Sequence, residues 1–207
     1  MKITVFGATG TIGSHIVEQA LAQGHDVRAV ARRPEALALK HENLTRVAAD
    51  VLSTQDVAAA VAGSDAVLIC LGSKKLTGRL RSEGTRNVVQ AMKAHGVSRL
   101  ICQTTLGAGS SRENLNFYWK HLMFGLLLRG VYKDHLLQET LVQDSALDWT
   151  IVRPAAFVDT PRDAYKHGFG ATETGLSLTI ARSDVAKFML AQLGNGDYLH
   201  KTPGLSY

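Results

Sequence analysis

The sequence predicts an α/β fold, a doubly wound parallel sheet of the Rossmann type, in a single domain over residues 1–207. Short apolar runs alternate along the chain with segments whose apolar residues recur at helical spacing. The run at residues 66–71 is apolar throughout, which is typical of a strand buried on both faces. A turn with three evenly spaced glycines follows the first apolar run. These features together indicate one sizeable core with strands and helices in alternation.

The order of the elements follows from periodicity. Short apolar runs predict strands at residues 3–6, 27–30, 44–48, 66–71, 99–103 and 148–152. Apolar positions three and four apart predict helices at residues 11–23, 34–39, 53–61, 81–95, 133–145 and 183–193. Ser53 is expected to cap a helix, and Gly24 and Gly96 to end two others. The ligand crevice of such a sheet lies at the carboxyl ends of its strands, so functional residues are expected directly after them.

The composition indicates an ordinary soluble protein, with 45% hydrophobic and 20% charged residues. No apolar run approaches the ~20 residues of a membrane span, and the first strand leaves no space for a signal peptide. A cytoplasmic protein without an integral membrane segment is therefore expected. The net charge of +5 is mild, and the basic residues are scattered apart from Arg32-Arg33 and Lys74-Lys75, so no nucleic-acid partner is expected.

The cysteines and histidines predict no metal site and no redox pair. Cys70 and Cys102 each fall near the end of an apolar run and form no C-x-x-C motif, so both are expected to be buried, reduced thiols. The eight histidines show no metal-ligand spacing. The expected partner is a small molecule, and the chain is expected to be a monomer or a weak homo-oligomer.

The glycine turn after the first strand predicts a dinucleotide site. Gly7 permits a tight turn, Gly10 lets the backbone approach a pyrophosphate, and Gly13 lets the next helix pack closely on the sheet. The pyrophosphate would then meet free backbone N–H groups and the positive end of the helix dipole. The predicted contacts come from the whole turn: Gly7, Thr9, Gly10, Thr11, Ile12 and Gly13.

The end of the second strand distinguishes NADP(H) from NAD(H). An acidic residue there would bind the ribose 2′-hydroxyl, but the strand ends in Arg32-Arg33, and Asp26 lies at its beginning. Guanidinium groups donate forked hydrogen bonds to a 2′-phosphate and stack on adenine. NADP(H) is therefore the predicted cofactor, and a solvated pair of arginines is the alternative.

Further cofactor contacts are expected after the third and fourth strands. Asp50 and Val51 follow the third strand, where Asp50 would accept from the adenine amino group, cap the next helix, or do both. Leu71 and Gly72 follow the fourth strand and are expected near the pyrophosphate and the nicotinamide ribose. A side chain at position 72 would collide with a cofactor there.

Several motifs carry a family resemblance: Gly7-x-x-Gly10-x-x-Gly13, Asp50-Val51, Gly84-Thr85-x-Asn87, Lys133-Asp134-His135, the segment at 145–154 and Ser183-Asp184-Val185-Ala186. Together they resemble the atypical branch of the short-chain dehydrogenase/reductase superfamily, in particular the NAD(P)H-binding group around biliverdin reductase B, also called flavin reductase. The resemblance covers nearly the whole chain. It implies the Rossmann fold and an NAD(P)H cofactor, and it leaves the substrate open.

The chain departs from that superfamily at the catalytic Tyr-x-x-x-Lys pair. None of the five tyrosines is followed by lysine at the fourth position, so alcohol–ketone chemistry with a tyrosine acid is not expected. The atypical group lacks the pair too. By the same resemblance, His135 stands near the position where relatives carry a lysine and lies beside the cofactor.

The candidate catalytic residues are Thr105 and His135. Thr104 and Thr105 follow the fifth strand, where the superfamily places its catalytic Ser or Thr; their hydroxyls could bond the nicotinamide amide, the substrate or local backbone. His135 could orient a ribose or donate a proton, or be a partly exposed helix residue. Lys133 could contact a phosphate or ribose, or be solvated.

The segments after the fifth and sixth strands are expected to form the substrate side, at residues 104–135 and 153–182. Pro154 resembles the family's residue beside the nicotinamide, and Arg153 is a candidate partner in a structural ion pair. Residues 116–124 are rich in aromatic side chains. They could form a lid or wall for a flat substrate, a helix packed on the core or on a neighbouring subunit, or a membrane-surface segment.

The expected function is an NADPH-dependent reductase that transfers hydride to a flat conjugated acceptor, such as a flavin, a quinone or a tetrapyrrole. Such acceptors delocalise the incoming electrons, so the protein need only position the two rings. The alternative is a non-catalytic NADP(H) sensor of the NmrA-like type; an isomerase or dehydratase is a third. An open pocket favours the reductase, and one filled by Trp119, Phe124 or Phe157 favours the sensor.

Overall fold

The computed structural model describes residues 1–73 and 76–207, so the Lys74-Lys75 pair lies outside the described residues. In this part of the chain the strands are β1 (Lys2–Phe6), β2 (Asp26–Ala31), β3 (Leu44–Ala48), β4 (Ala66–Ile69), β5 (Arg99–Gln103), β6 (Asp148–Pro154), β7 (Ala156–Val158), β8 (Lys166–His167), β9 (Thr179–Ala181) and β10 (Gly204–Ser206). The main sheet has the order β3-β2-β1-β4-β5-β6-β10-β8 and is parallel except for β8. Strands β7 and β9 pair as a small parallel sheet. This order confirms the predicted Rossmann fold in a single domain.

The helices cover both faces of the main sheet. They are α1 (Gly13–Ala22), α2 (Thr54–Val61), α3 (Leu80–Ala94), α4 (Arg129–Gln143) and α5 (Arg182–Ala191). Helices α1 and α5 pack together over one core, and α2, α3 and α4 cover the other. Tight 3-10 turns occur at Pro34–Ala36 and Gly109–Asn114, and a π-helix at Tyr118–Leu127. Within the described residues, none of the helices has the length and apolar character that crossing a membrane requires.

The two cores explain why β4 is apolar at every position. Along β4, Ala66 and Leu68 point into the core under α1 and α5, whereas Val67 and Ile69 point into the core under α2, α3 and α4. Successive side chains of a strand face opposite sides of the sheet, so a sheet covered on both faces needs no polar alternation. Cys70 and Cys102 are free and buried, as predicted, and burial raises the pKa of both thiols.

The structure corrects several predicted boundaries. The helix predicted at 34–39 is only the 3-10 turn Pro34–Ala36, because the backbone of Leu37, whose side chain is buried in the core, is already extended with a ψ of 101°. Helix α4 begins at Arg129 instead of residue 133, since the preceding π-helix leads into it. Strands β7 to β10 were not predicted. The predicted caps hold: Ser53 Oγ accepts from Asp56 N at 3.2 Å, and Gly24 has a φ of +78° after α1.

Candidate functional site

A cleft of about 1160 Å³ lies at the carboxyl ends of the central strands. In the sheet, β2 and β3 lie on one side of β1, and β4, β5 and β6 lie on the other side. The strand order therefore reverses between β1 and β4, and the cleft lies at this point. It brings together all the predicted cofactor and catalytic residues except Gly13 and Lys133. Those that line it are Gly7, Thr9, Gly10, Thr11, Ile12, Arg32, Arg33, Asp50, Val51, Leu71, Gly72, Thr104, Thr105, His135 and Pro154. Lys133 is exposed on α4, outside this lining.

The glycines of the first turn are required by close backbone contacts. Gly7 has a φ of +82°, and a Cβ atom there would lie 2.3 Å from the Cys70 carbonyl oxygen. A Cβ atom on Gly13 would lie 2.2 Å from the carbonyl oxygen of Gly7 and 3.0 Å from Ala8 Cα. Glycine at position 13 therefore lets α1 pack closely on the turn that directly follows β1.

The start of α1 is suited to an anion. Among the described residues, no side chain caps this end of α1, and the first turn contains no acidic residue. Its backbone N–H groups and the positive end of the helix dipole are therefore not neutralised by the protein. The exposed Thr9 and Thr11 border this end in the cleft wall. The arrangement fits the pyrophosphate of a dinucleotide.

The far end of the cleft contains the residues expected at the adenosine. Arg32 and Arg33 are exposed and line the cleft directly after β2. Asp50 Oδ1 accepts from Leu52 N at 3.0 Å, and Asp50 N donates to Asp56 Oδ2 at 3.0 Å. Asp50 therefore shapes the turn before α2, while Ser53 is the cap, so the predicted capping role of Asp50 is wrong.

The Gly84-Thr85-x-Asn87 motif holds the floor of the cleft in place. A Cβ atom on Gly84 would lie 2.8 Å from Val51 Cγ1 and 2.9 Å from Leu71 Cδ1, so glycine lets α3 pack tightly below these two cleft residues. Asn87 Nδ2 donates to the Val51 carbonyl oxygen at 3.0 Å. The motif is thus a support for the residues that follow β3 and β4.

His135 is buried in the cleft wall as a neutral imidazole. Its Nδ1 lies 3.1 Å from Gln138 Oε1, and Gln138 Nε2 donates in turn to Thr85 Oγ1 at 3.1 Å and Cys102 Sγ at 3.3 Å. Because the Gln138 amide donates from Nε2, its Oε1 accepts from His135, so the imidazole proton is on Nδ1. The imidazole Nε2 is then left as an acceptor. Burial, and then the positive charge of Arg81, lower the His135 pKa to about 4. The site favours acceptance from a ligand hydroxyl over proton donation.

The stability of the protein is expected to fall as the pH decreases from 6.5 towards 4. The unfolded chain binds a proton at His135 below pH 6.5, whereas the folded chain binds it only near pH 4. The loss attributable to this residue reaches about 3 kcal/mol. Urea unfolding at about pH 7 and about pH 4.5 measures it. A His135→Gln variant with the same pH dependence as the wild type would contradict the assignment.

The neighbouring Asp134 caps α3 from a different helix. Its Oδ2 accepts from Arg81 N at 3.0 Å, and its Oδ1 accepts from Ser82 N at 3.0 Å and from Ser82 Oγ at 2.6 Å. Arg79, the residue at the capping position, makes no side-chain cap bond within the described residues. Asp134 therefore satisfies the N–H groups that open α3, and it ties α3 to α4 beside the cleft.

A buried ion pair lies behind the strand-five end of the cleft. Glu139 accepts from Arg153 through both carboxylate oxygens, at 2.9 and 2.7 Å, and the Thr104 hydroxyl donates to Glu139 Oε1 at 2.7 Å. Arg153 Nη1 also donates to Ser110 Oγ at 3.1 Å. The ion-pair role expected for Arg153 is confirmed. The Thr104 hydroxyl is engaged in this network. Thr105, half-buried in the cleft lining, donates from Oγ1 to the Leu106 carbonyl oxygen at 3.3 Å, as its local-backbone interpretation requires, and its oxygen can still accept from a ligand.

The other end of the cleft is apolar and aromatic. Trp119, Phe124 and Leu128 line it from the π-helix side, and Phe157 from β7. The Trp119 and Phe124 rings lie 5.8 Å apart, and Phe124 stacks on Tyr132 at 5.1 Å. Among the described residues of the lining there is no tyrosine. The predicted aromatic segment is thus both a wall of the cleft and a helix packed on the core, so two of its interpretations are confirmed together.

Strand order, glycine turn and cleft together define an NAD(P)-binding protein of the Rossmann class. The NAD(P)H-binding family matches residues 7–196, which is most of the chain. The chain therefore belongs to the NAD(P)H-binding family, and the resemblance inferred from its sequence motifs is confirmed.

Individual relatives show how far the similarity extends. The uncharacterized sugar epimerase YhfK of Bacillus subtilis is 30% identical over 203 residues, which cover 93% of this chain and 88% of the relative. The next curated relatives are longer, and this chain spans 31% or less of each.

Solved structures match over the whole chain. ChuY of Escherichia coli, described as an anaerobillin reductase, has a TM-score of 0.77 and 26% identity, covering 100% of this chain and 97% of that one. A short-chain dehydrogenase/reductase from Veillonella parvula in complex with NADP has a TM-score of 0.82, covering 100% and 94%. Its 17% identity shows a shared fold alone.

Proposed function

We propose that the protein is an NADPH-dependent reductase that transfers hydride to a flat conjugated acceptor, such as a flavin, a quinone or a tetrapyrrole. The observation that carries this proposal is the open apolar end of the cleft, which continues from the dinucleotide turn. Trp119, Phe124 and Phe157 form walls of this space instead of filling it. Aromatic walls suit a planar ligand, because offset stacking adds to the free energy of burial.

The proposed cofactor is NADP(H). The uncapped, acid-free start of α1 fits the pyrophosphate, and Arg32 and Arg33 fit a 2′-phosphate at the far end of the cleft. Gly7, Gly10, Thr9, Thr11 and Ile12 would surround the pyrophosphate, with Gly13 as a packing residue. Asp50 and Val51 would border the adenine, and Leu71, Gly72 and Pro154 the nicotinamide half.

The proposed substrate side is formed by residues 104–135 and 153–182. The reduced cofactor supplies the hydride when bound, so the chain itself need only orient two rings and keep water from between them. Thr105 Oγ1 would hold the carboxamide or the acceptor, and His135 Nε2 would accept a ribose hydroxyl. Because the imidazole is neutral and a tyrosine acid is missing from the described lining, the final proton would come from water.

Two comparisons support a reductase. ChuY, a structural relative at 26% identity, is described as an anaerobillin reductase, which supports a tetrapyrrole among the candidate acceptors. The bound NADP in the Veillonella parvula neighbour supports a phosphorylated cofactor in this fold. The name of YhfK suggests epimerase chemistry, but this chain contains no Tyr-x-x-x-Lys pair for it.

The test is NADPH oxidation by the purified protein with FMN, a quinone and biliverdin, with NADH in parallel. Saturable oxidation with any of these acceptors supports the reductase, and the preferred acceptor identifies the shape of its pocket. Tight NADPH binding without turnover across the panel contradicts it and supports the sensor function instead.

Replacing Arg32 and Arg33 by alanine is expected to remove the preference for NADPH. Each lost charged hydrogen bond to the 2′-phosphate corresponds to roughly a 10- to 100-fold weaker NADPH affinity. Affinity for NADH, which has no such phosphate, should stay within about 2-fold. Fluorescence titration of both cofactors measures this, with Arg86→Ala as the matched control on the exposed face of α3. An equal loss for NADH would show that the pair does not read the 2′-phosphate.

A further inference from the structure

The cleft contains a buried arginine that neither the motifs nor the proposed cofactor contacts explain. Arg81 stands in the first turn of α3, is 9% exposed and lines the cleft together with His135. Its guanidinium group has been taken out of water, and this desolvation lowers its pKa. A charge in such a place is costly unless partners satisfy its donors.

The protein supplies those partners only in part. Arg81 Nε is buried without a hydrogen-bond partner among residues 1–73 and 76–207. Nη1 lies 3.6 Å from Asp134 Oδ2, which is longer than a hydrogen bond. The carboxylate of Asp134 already accepts from three other donors, namely Arg81 N, Ser82 N and Ser82 Oγ, at 2.6–3.0 Å. Asp134 is therefore occupied as a helix cap and leaves the guanidinium group short of acceptors.

The charge around the cleft also favours an anionic ligand. Its described lining contains four arginines and two acidic residues: Arg32, Arg33, Arg79, Arg81, Asp50 and Glu83. Of the four arginines only Arg81 is buried, so it alone would meet a ligand with most of its hydration already removed. Electrostatic attraction to an anion is strongest in such a position.

We propose that Arg81 is an anion-binding residue of this cleft, which binds a phosphate or carboxylate oxygen of the ligand that lies beside His135. The inference rests on the proposed function and makes it more specific. The anionic oxygen has two possible sources, the phosphates of NADPH or an acid group carried by the acceptor. In both cases the ligand provides the acceptor that residues 1–73 and 76–207 do not supply to Arg81 Nε.

Equilibrium binding to Arg81→Gln tests the proposal without requiring turnover. NADPH affinity is measured by nicotinamide fluorescence, and the affinities for FMN and riboflavin by flavin fluorescence. FMN and riboflavin share one ring system and differ by a phosphate, so their ratio isolates the anionic group. Arg86→Gln, on the exposed face of α3 and outside the cleft lining, is the matched control.

The expected result is roughly a 10- to 100-fold loss of affinity for the anionic ligand in Arg81→Gln, and none in the control. A loss confined to NADPH assigns the oxygen to the cofactor. A loss for FMN without a loss for riboflavin assigns it to the acceptor. Arg81→Lys keeps a charge near Asp134 without the planar fork, and it is expected to show a smaller loss of the same kind.

Unchanged NADPH affinity together with an unchanged ratio of FMN to riboflavin affinity, in a folded variant, overturns the proposal. If Arg81→Gln does not fold, the same comparison in Arg81→Lys decides it. A wild-type protein that binds these ligands without oxidising NADPH contradicts the reductase, while the binding ratios still test Arg81. The two failures are therefore distinguishable.

Discussion

Gly13→Ala is expected to reduce NADPH affinity by roughly 100-fold or more. The added Cβ atom would lie 2.2 Å from the carbonyl oxygen of Gly7 and 3.0 Å from Ala8 Cα. Both neighbours are backbone, so α1 must move away from the turn. Its N–H groups would then no longer meet the pyrophosphate. Fluorescence titration with NADPH and thermal unfolding measure the two effects, and stability should fall by about 1–3 kcal/mol.

Gly194→Ala is the control for that experiment. Gly194 is exposed, and a Cβ atom there would meet no atom of the described residues within 4 Å. The free energy of unfolding of the Gly194→Ala variant should differ from that of the wild type by less than about 0.5 kcal/mol, and its NADPH affinity should be unchanged. A folded Gly13→Ala protein with wild-type affinity would show that the start of α1 does not hold the cofactor.

Asp134→Ala is expected to be the most destabilising single change among those considered, with a loss of about 3–5 kcal/mol. The substitution leaves the N–H groups of Arg81 and Ser82 without their acceptor, and it removes the carboxylate that faces the buried Arg81 guanidinium. Urea unfolding at neutral pH measures the loss. Asp134→Asn keeps one acceptor oxygen and should fall between the alanine variant and the wild type.

The matched control is Asp144→Ala. Asp144 is an exposed carboxylate at the other end of the same helix, so its removal should change the free energy of unfolding by less than about 0.5 kcal/mol. If Asp134→Ala and Asp144→Ala unfold at the same urea concentration, the capping contacts contribute little to stability.

The central sheet could be predicted because its signals are local. Each of the first six strands has apolar residues at most of its positions. In β4 the apolar run is continuous, because both faces of the sheet are buried there. Strand β10 and the two-residue β8 have no such run; they form by pairing with strands that are distant in the sequence. A helix was one of the interpretations of residues 116–124, but its π geometry was not predicted, because the wider turns do not follow the 3.6-residue spacing used to find helices.

The cofactor half of the site could be predicted more fully than the rest. Residues that bind through backbone, such as Gly7 and Gly10, follow directly from their spacing after a strand. Asp134 belongs to the Lys133-Asp134-His135 motif, but its capping function could not be predicted from the sequence pattern. It caps a helix whose first turn lies 53 residues earlier in the chain. The burial of Arg81 is likewise a product of tertiary packing, and periodicity gave no sign of it.

The same capping contact has a consequence for the order in which the chain folds. During synthesis, α3 leaves the ribosome long before Asp134, which is 53 residues behind Arg81. Until then the first N–H groups of α3 have only water as a partner, so the start of this helix frays. The wall of the cleft that α3 supports is therefore completed only when α4 docks. A nascent chain that ends before residue 134 has the glycine turn but lacks a finished cleft.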